Sequence, residues 1–439
     1  MNCGKFFAAI FFALIFTLNA ATVPLRAEPF QDPATTIPLP NNQPPTVLSE
    51  WNSTNSGLNP GYTVQQMQNP RPVPPGDVLP NVTATAAVVM EASTGHVIYS
   101  RNPNKKMFPA STTKMVTLIM ALENGKPEEI VTVGKNAFGV EGSTLFLETG
   151  DKIPLKELLT GMIMHSGNDA AVAVAEHVDG NIKKFAERMT RRARELGAVN
   201  SQFTNPHGLP DTNHVTTAYD LALLAAHGFT LENFEEIVSA QEKTYQWIHD
   251  PAKKLRSENQ MLWLYRGGNG VKTGYTDAAG RCLVSSAKRD GIQLVAVVLD
   301  SYFMWNDSIA LLDYGFANVS SEKIIQGGKV IKNLPVVSGH KKTMPIKTAG
   351  DITVPIFKNS DDYQIEYDLP NFLSAPIKKG ESVGKVRVIL DGKEVATTDL
   401  IATENDTQKS FFQNAVGKFK KTFRSLSEEN FFVERSFDS

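Results

Sequence analysis

PASTTKMVTLIMALENG, residues 109–125, is the stretch around which this chain is organised. Apolar residues and strong helix formers follow Lys114, and the closing ENG supplies a stop, so the pattern predicts a helix. Pro109 suits its first turn, because the N–H that proline lacks would have no partner there. Ser111 and Lys114 are three residues apart and would share one helix face, about 5–6 Å apart at their Cβ atoms.

A serine hydroxyl needs a neighbouring base to become a nucleophile, and a desolvated lysine can be that base. The SxxK spacing alone is weak evidence for such chemistry. The chain repeats it four more times, at Ser285/Lys288, Ser320/Lys323, Ser338/Lys341 and Ser382/Lys385.

Composition excludes some classes of function. The length of 439 residues predicts two or three domains. With a net charge of −2 and 21% charged residues, no global field favours nucleic acid, and we expect no nucleic-acid partner. The eight histidines form no HExxH or comparable pattern, so we expect no metal and no other cofactor, and a structural role for His165 and His207.

Residues 1–27 have the pattern of an export signal. Lys5 precedes a thirteen-residue apolar run, 6–18, which is too short to span a bilayer of about 30 Å. Small-residue cleavage sites follow at 18–20 and 25–27, and the alternative is a membrane anchor that is never cut. Once the signal has left, Cys282 is the single cysteine, so the mature chain has no internal disulfide.

Residues 28–80 contain twelve prolines and few charges. Such a segment buries too little apolar surface to offset its ordering entropy, and we predict a disordered linker with polyproline character. A ligand for a proline-binding partner is the alternative.

Residues 81–320 alternate between strand and helix patterns. Strands are predicted at 84–90, 96–100, 281–287 and 291–299, and helices at 154–165, 169–177, 181–196, 218–227 and 306–316. Strands at both ends with helices between them predict an α/β (α+β) domain, in which an antiparallel sheet is flanked by helices and a helical subdomain.

The pattern changes after Gly327. Short strands divided by Gly, Asn, Asp and Pro predict a small all-β domain over residues 325–402, with strands at 329–337, 351–355, 364–369, 384–389 and 394–398.

The last predicted segment is 403–439, whose residues 409–426 form a basic amphipathic helix. Its apolar side chains fall within a stripe of roughly 80°, and cations occupy the other faces: Phe412, Val416, Phe419, Phe423 and Leu426 against Lys418, Lys420, Lys421 and Arg424. This pattern predicts a helix lying in a membrane interface. Docking of the helix on its own domain is the alternative.

Two further polar clusters carry candidate chemistry. Ser166 and Asn168 present a hydroxyl and an amide between two predicted helices, although Ser257-Glu258-Asn259 has the same SxN spelling. Lys272-Thr273-Gly274 places a cation, a hydroxyl and an approachable backbone just before a predicted strand. Taken singly, each cluster has a structural explanation: a helix end for Ser166 and Asn168, and an ordinary edge strand for Lys272-Thr273-Gly274.

Together, in the order SxxK, SxN and KTG, these clusters resemble the serine penicillin-recognising enzymes. The stretches GSTL at 142–145, SGNDAA at 166–171 and NPHGLP at 205–210 narrow the resemblance to the D-alanyl-D-alanine carboxypeptidases, the low-molecular-mass penicillin-binding proteins. The resemblance is strong over 82–320 and weaker beyond, and the Pro-rich segment is longer than is usual in the family. It implies the penicillin-recognising transpeptidase-like or β-lactamase-like fold.

The resemblance also implies roles for the site residues. Ser111 would attack the penultimate D-alanine of a peptidoglycan stem pentapeptide, with Lys114 as base, and would be acylated by penicillin and other β-lactams. Ser166 would relay the proton to the leaving amine, and Asn168 would hold the substrate amide. Lys272 and Thr273 would bind the terminal carboxylate, and the N–H groups of Ser111 and Tyr275 would form the oxyanion hole.

The predicted function is therefore a serine-type carboxypeptidase that limits cross-linking in the cell wall. It would work in the periplasm or at the outer face of the cytoplasmic membrane, anchored peripherally through residues 409–426. A β-lactamase and a non-catalytic cell-wall binding protein are the alternatives. Carboxypeptidase, endopeptidase and transpeptidase action on peptidoglycan are not separated by the sequence.

Overall fold

The computed structural model describes residues 78–245, 253–358, 363–390 and 392–410. The predicted signal at 1–27, nearly all of the predicted linker, and the predicted amphipathic helix beyond residue 410 lie outside the described residues.

The first part of the described chain is built on a five-stranded antiparallel sheet with the strand order β2-β1-β9-β8-β7. Two further pairs of short antiparallel strands, β3-β4 and β5-β6, are separate from it. The strands are β1 Ala86–Glu91, β2 Val97–Arg101, β3 Ile130–Thr132, β4 Lys152–Pro154, β5 Glu242–Tyr245, β6 Lys253–Arg256, β7 Gly268–Thr276, β8 Gly280–Arg289 and β9 Ile292–Leu299.

Helices cover both faces of this sheet. They are α1 Thr113–Asn124, α2 Leu155–His165, α3 Asn168–Asp179, α4 Ile182–Glu195, α5 Ala218–Gly228, α6 Phe234–Val238, α7 Met261–Leu264 and α8 Met304–Asn318. Each of the eight residues of β9 is buried, because the strand is central and both of its faces are covered. A continuous apolar run, IQLVAVVL, is what such a position requires.

The second part is all β. Its strands are β10 Val319–Ile325, β11 Val330–Val337, β12 Thr343–Thr348, β13 Ile352–Phe357, β14 Gln364–Asp368, β15 Leu373–Ser374, β16 Ser382–Leu390 and β17 Lys393–Ala402. Six form a sheet in the order β14-β16-β17-β12-β11-β15, and β10 pairs with β13. The strands β10, β12 and β15 were not predicted from the sequence pattern.

Aromatic and aliphatic contacts join the two parts. The ring of His96 stacks on that of Phe357 at a centroid distance of 4.1 Å. Val319, Phe357 and Leu390 pack into the same apolar cluster as Trp305 of α8. The predicted class, an antiparallel sheet flanked by helices and followed by a small all-β domain, is confirmed.

Among the described residues, none of the helices has both the length and the apolar character that crossing a bilayer requires.

Candidate active site

The segment that carries Ser111 is not part of a continuous α-helix, in contrast to the prediction from the sequence. Residues Ala110–Thr112 form a single 3₁₀ turn, and the α-helix starts only at Thr113. The hydroxyl groups of Thr112 and Thr113 donate to the carbonyl oxygens of Pro109 and Ala110, at 2.7 and 2.8 Å. Such side-chain bonds to nearby carbonyls compete with the regular helix pattern. Ser111 is therefore presented from a tight turn, one residue after Ala110 at a φ of 48°.

Lys114 lies on the first turn of α1 and is completely buried. Its Nζ is 2.9 Å from Ser111 Oγ, 2.6 Å from Asn168 Oδ1 and 2.8 Å from the carbonyl oxygen of His207. The SxxK pair and the asparagine of SxN thus meet at one nitrogen atom.

The charge state of Lys114 is set by its surroundings. Its pKa lies well below the ordinary lysine value, first because burial disfavours the cation and second because Lys272 adds a like charge nearby. Glu258 and Asp169 act in the opposite direction. The neutral amine, which is the form that can accept a proton, is therefore favoured.

Ser166 and Asn168 lie where α2 ends and α3 begins. Ser166 adopts the left-handed conformation, at φ 61° and ψ 24°, and is 3% exposed. Its hydroxyl forms no hydrogen bond with any described residue, so Ser166 is not joined to Lys114 or Ser111. Asn168 Nδ2 donates to the carbonyl oxygen of Glu141 at 2.5 Å, which fixes the amide with Oδ1 toward Lys114.

Asp169 holds a loop beside the site, a role that the sequence analysis missed. The carboxylate is 1% exposed and accepts from the backbone N–H groups of Leu145 and Leu147, both at 3.0 Å, and from the Thr144 hydroxyl at 2.7 Å. The GSTL stretch is thereby fixed against the start of α3. The sequence signal was the Asp that follows Asn168, a common residue in a first helical turn.

The KTG cluster lies on β7, at the edge of the sheet. Lys272 is buried, and its Nζ donates to the carbonyl oxygen of Thr273 at 2.9 Å and to the Thr273 hydroxyl at 3.3 Å. The pKa of Lys272 is lowered to about 8, because the lowering by burial outweighs the opposite effect of the Glu258 charge. Tyr275 is 60% exposed at the end of the strand.

Gly274 lets β7 approach the turn that carries Ser111 closely. A Cβ atom at this position would lie 2.9 Å from the Ser111 nitrogen and 3.0 Å from the Thr112 nitrogen, which is too close for a side chain. The backbone between Thr273 and Tyr275 therefore passes directly beside the N–H of Ser111.

The NPHGLP loop, residues 205–210, packs against α1 and the turn that carries Ser111. The Thr117 hydroxyl donates to the carbonyl oxygen of Pro206 at 2.6 Å, one residue before the His207 carbonyl that receives Lys114. Gly208 has a φ of 93°, and a Cβ there would lie 1.8 Å from the Ala110 oxygen. Burial and the charge of Lys114 lower the pKa of His207 to about 3.

A second histidine, His214, contacts the turn that carries Ser111 through the Thr113 side chain. His214 is 1% exposed, and its Nδ1 accepts from the backbone N–H of Thr204 at 3.0 Å. Its Nε2 is 2.8 Å from the Thr113 hydroxyl, which donates to the Ala110 oxygen. Burial lowers the pKa of His214 to about 4, so the ring is neutral and carries its proton on Nε2.

The second SxN sequence, residues 257–259, lies against the end of α2, and its Glu258 affects both lysines of the site. The backbone N–H of Glu258 donates to the Met164 oxygen at 3.0 Å, near the end of α2. The Glu258 charge raises the pKa of both Lys114 and Lys272.

The other SxxK pairs have structural contacts of their own. Ser285 is buried in β8 and donates to the Ala296 oxygen, and Lys323 pairs with Asp351 at 2.5 Å.

Comparisons with known proteins divide the chain in two. Residues 73–302 match the family described as D-alanyl-D-alanine carboxypeptidase, and residues 320–408 match the family described as penicillin-binding protein 5, C-terminal domain.

Two curated relatives match most of the chain. The D-alanyl-D-alanine carboxypeptidase DacF of Bacillus subtilis is 32% identical over 75% of this chain and 87% of the relative. The D-alanyl-D-alanine carboxypeptidase DacA of Haemophilus influenzae is 35% identical over 73% of this chain and 84% of the relative. Among solved structures, penicillin binding protein 5 of Haemophilus influenzae matches with a TM-score of 0.55 at 32% identity, covering 75% of this chain and 99% of that protein.

Proposed function

The chain belongs to the D-alanyl-D-alanine carboxypeptidase family, and we propose that it removes the terminal D-alanine from peptidoglycan stem pentapeptides through an acyl-enzyme on Ser111. One observation carries the assignment of the site: the buried Lys114 Nζ lies between Ser111 Oγ, Asn168 Oδ1 and the His207 oxygen. The reaction limits cross-linking of the cell wall, and penicillin acts as a covalent inhibitor.

The lowered pKa of Lys114 favours the neutral amine, which has two N–H bonds and one lone pair, and the surrounding groups can satisfy that form. Asn168 Oδ1 and the His207 oxygen can only accept, so they take the two N–H groups. In the neutral amine, the lone pair would face Ser111 Oγ, which lies 2.9 Å from Nζ, and the Ser111 hydroxyl would donate to it. This arrangement supports Lys114 as the general base.

In acylation, the Ser111 hydroxyl gives its proton to Lys114 Nζ while Oγ bonds to the carbonyl carbon of the penultimate D-alanine. The N–H groups of Ser111 and Tyr275 stabilise the negative charge on the carbonyl oxygen, which the close approach of β7 at Gly274 supports. The C–N bond then breaks, and the leaving amine takes the proton from Lys114. The Ser166 hydroxyl, which has no hydrogen bond to Lys114 in the structure, would relay that proton once the substrate is bound.

Substrate binding uses the charged edge of β7. Lys272, protonated below its pKa of about 8, attracts the terminal carboxylate together with the Thr273 hydroxyl. Asn168 holds the substrate amide. In the second half of the reaction, water attacks the ester carbonyl and gives a proton to Lys114. Ser111 Oγ then leaves and takes that proton from Lys114, which restores the neutral amine.

The test measures D-alanine release from a pentapeptide that ends in D-Ala-D-Ala. The wild-type chain is expected to release one D-alanine per peptide, and Ser111→Ala to release none. Ser320→Ala is the matched control, because Ser320 belongs to a second SxxK pair on β10. Release by Ser111→Ala, or equal loss in both variants, would refute Ser111 as the nucleophile.

The same proposal covers organisation and location. It assigns a signal peptide to 1–27, a linker to 28–80, the catalytic domain to 81–320, the β domain to 325–402 and a membrane-associating segment to 403–439. The mature enzyme lies in the periplasm or on the outer face of the cytoplasmic membrane. Deleting residues 408–439 is expected to move the protein into the soluble fraction, and unchanged membrane partitioning contradicts the anchor.

A further inference from the structure

Three segments of the β domain meet around one buried carboxylate. Asp406 accepts from the backbone N–H groups of His340 and Lys341, at 3.0 and 3.1 Å, and exchanges backbone hydrogen bonds with Ile377. Residues 337–342, 372–381 and 403–410 are thereby joined at one end of the six-stranded sheet. We call these three segments the basic end.

The charges of the basic end are mostly positive. Its lysines are Lys341, Lys342, Lys378, Lys379 and Lys409, against the carboxylates of Glu381, Glu404 and Asp406. Asp406 is buried and engaged with the backbone, and Glu404 pairs with Lys341. Lys342, Lys378 and Lys379 are exposed and form no side-chain ion pair with a described residue. Their ammonium groups are available to an anionic surface.

Apolar side chains are exposed among these lysines. Phe372 is 54% exposed and Val337 is 46% exposed, although β11 and β15 pair directly beside them. Exposed aromatic and aliphatic groups surrounded by cations are the pattern of a surface that rests on a membrane interface.

The chain leaves the described residues at this same place. Gln408 pairs with Gly339, and the Lys409 N–H donates to the Ser338 oxygen at 2.8 Å. The predicted amphipathic stretch, 409–426, therefore starts at the basic end. Whatever surface that stretch binds, the basic end is the part of the β domain attached next to it.

We propose that the basic end is a second membrane-contact surface, which binds the acidic headgroups of a lipid bilayer and orients the β domain on it. The inference rests on the peripheral attachment proposed above and assigns contacts outside 409–426. Cations near an anionic leaflet contribute about 1 kcal/mol each, so three exposed lysines suffice to change partitioning.

The test compares two triple variants of the full mature chain. In the first, Lys342, Lys378 and Lys379 are changed to Glu. In the matched control, three exposed lysines toward the other end of the same domain, Lys329, Lys332 and Lys393, are changed to Glu. Both remove the same charge from the β domain. Binding is measured by sedimentation with vesicles of phosphatidylglycerol and phosphatidylcholine and with vesicles of phosphatidylcholine alone.

The first variant is expected to bind anionic vesicles at least about tenfold more weakly than the wild type, and the control less than about twofold more weakly. On zwitterionic vesicles the two should match, and about 0.5 M salt should remove the difference. Equal loss in both variants, or no loss in the first, overturns the proposal while the 409–426 anchor stands. A wild-type chain that binds neither vesicle overturns the anchor as well. Penicillin acylation of each variant in solution tests the active site independently.

Discussion

Lys114 must be buried to lose its proton and yet hydrogen-bonded to remain satisfied. The structure meets both demands, because Asn168 Oδ1 and the His207 oxygen take its N–H groups and Ser111 faces the remaining position. Lys272 adds the second cation that lowers the pKa of Lys114 further. In the proposed mechanism the two lysines are coupled, with Lys114 neutral and Lys272 charged.

Glu258→Gln tests this coupling. The Glu258 carboxylate raises the pKa of both Lys114 and Lys272, so its removal lowers both. In the proposed mechanism, acylation requires neutral Lys114, which sets the acid limb of the rate profile. It also requires charged Lys272, which sets an alkaline limb near pH 8 in the wild type. Both limbs should move to lower pH when acylation by penicillin is measured from pH 5 to 10.

Glu242→Gln is the control for that experiment, because Glu242 pairs with Lys254 on the β5-β6 hairpin and is named in neither lysine's pKa shift. Its profile should match the wild type. A Glu258→Gln profile that stays in place or moves to higher pH contradicts the coupling.

We expect His214 to act as a positioning residue, since it contacts the turn that carries Ser111 only through Thr113. His214→Phe removes the donor to the Thr113 hydroxyl and the acceptor of the Thr204 N–H. We expect kcat for D-alanine release to fall about tenfold, the value of one net hydrogen bond, with KM nearly unchanged. His214→Gln, whose amide can donate to Thr113, should recover most of the loss. A change confined to KM, or no recovery with Gln, contradicts this role.

At the scale of elements, the site depends on how closely β7 approaches the Ser111 turn. Gly274→Ala would place a methyl group 2.9 Å from the Ser111 nitrogen, so β7 has to move away. We expect penicillin acylation to slow about 100-fold, because misplaced binding groups lose their alignment, while the melting temperature changes little.

Gly350→Ala is the matched control for that variant. A Cβ there meets only the Thr398 hydroxyl, at 3.5 Å, and Gly350 has no positive φ. Its acylation rate should be that of the wild type. A Gly274→Ala enzyme that is acylated at the wild-type rate would show that the approach of β7 is not needed.

Sequence patterns predicted the long elements well and the short ones poorly. The 3.6-residue period located α2 to α5, because each helix buries one apolar face against the core, as α4 does with Phe185 and Met189. The 3₁₀ turn before α1 was missed, since it is set by the hydroxyl bonds of Thr112 and Thr113 rather than by periodicity. The strands β12 and β15 are short and flanked by partners that only the folded sheet brings together.

At the scale of the whole molecule, the site is assembled from segments far apart in the chain. Asn168 lies 54 residues from Lys114, and the His207 oxygen comes from 93 residues away. A backbone carbonyl has no sequence signature, so the contribution of His207 could not be predicted. The SxN pattern at 257–259 does not by itself identify a role for Glu258. The Glu258 charge acts on the two lysines only because residues 257–259 fold back on α2.

The proposed mechanism requires that Ser111, and no other serine, becomes acylated. The most direct measurement is intact-protein mass spectrometry after incubation with penicillin, followed by peptide mapping, on the wild type, Ser111→Ala and Ser320→Ala. We expect one adduct per chain on the peptide that contains Ser111, the same adduct in Ser320→Ala, and none in a folded Ser111→Ala protein. An adduct that persists in Ser111→Ala, or that maps to another serine, would contradict that mechanism.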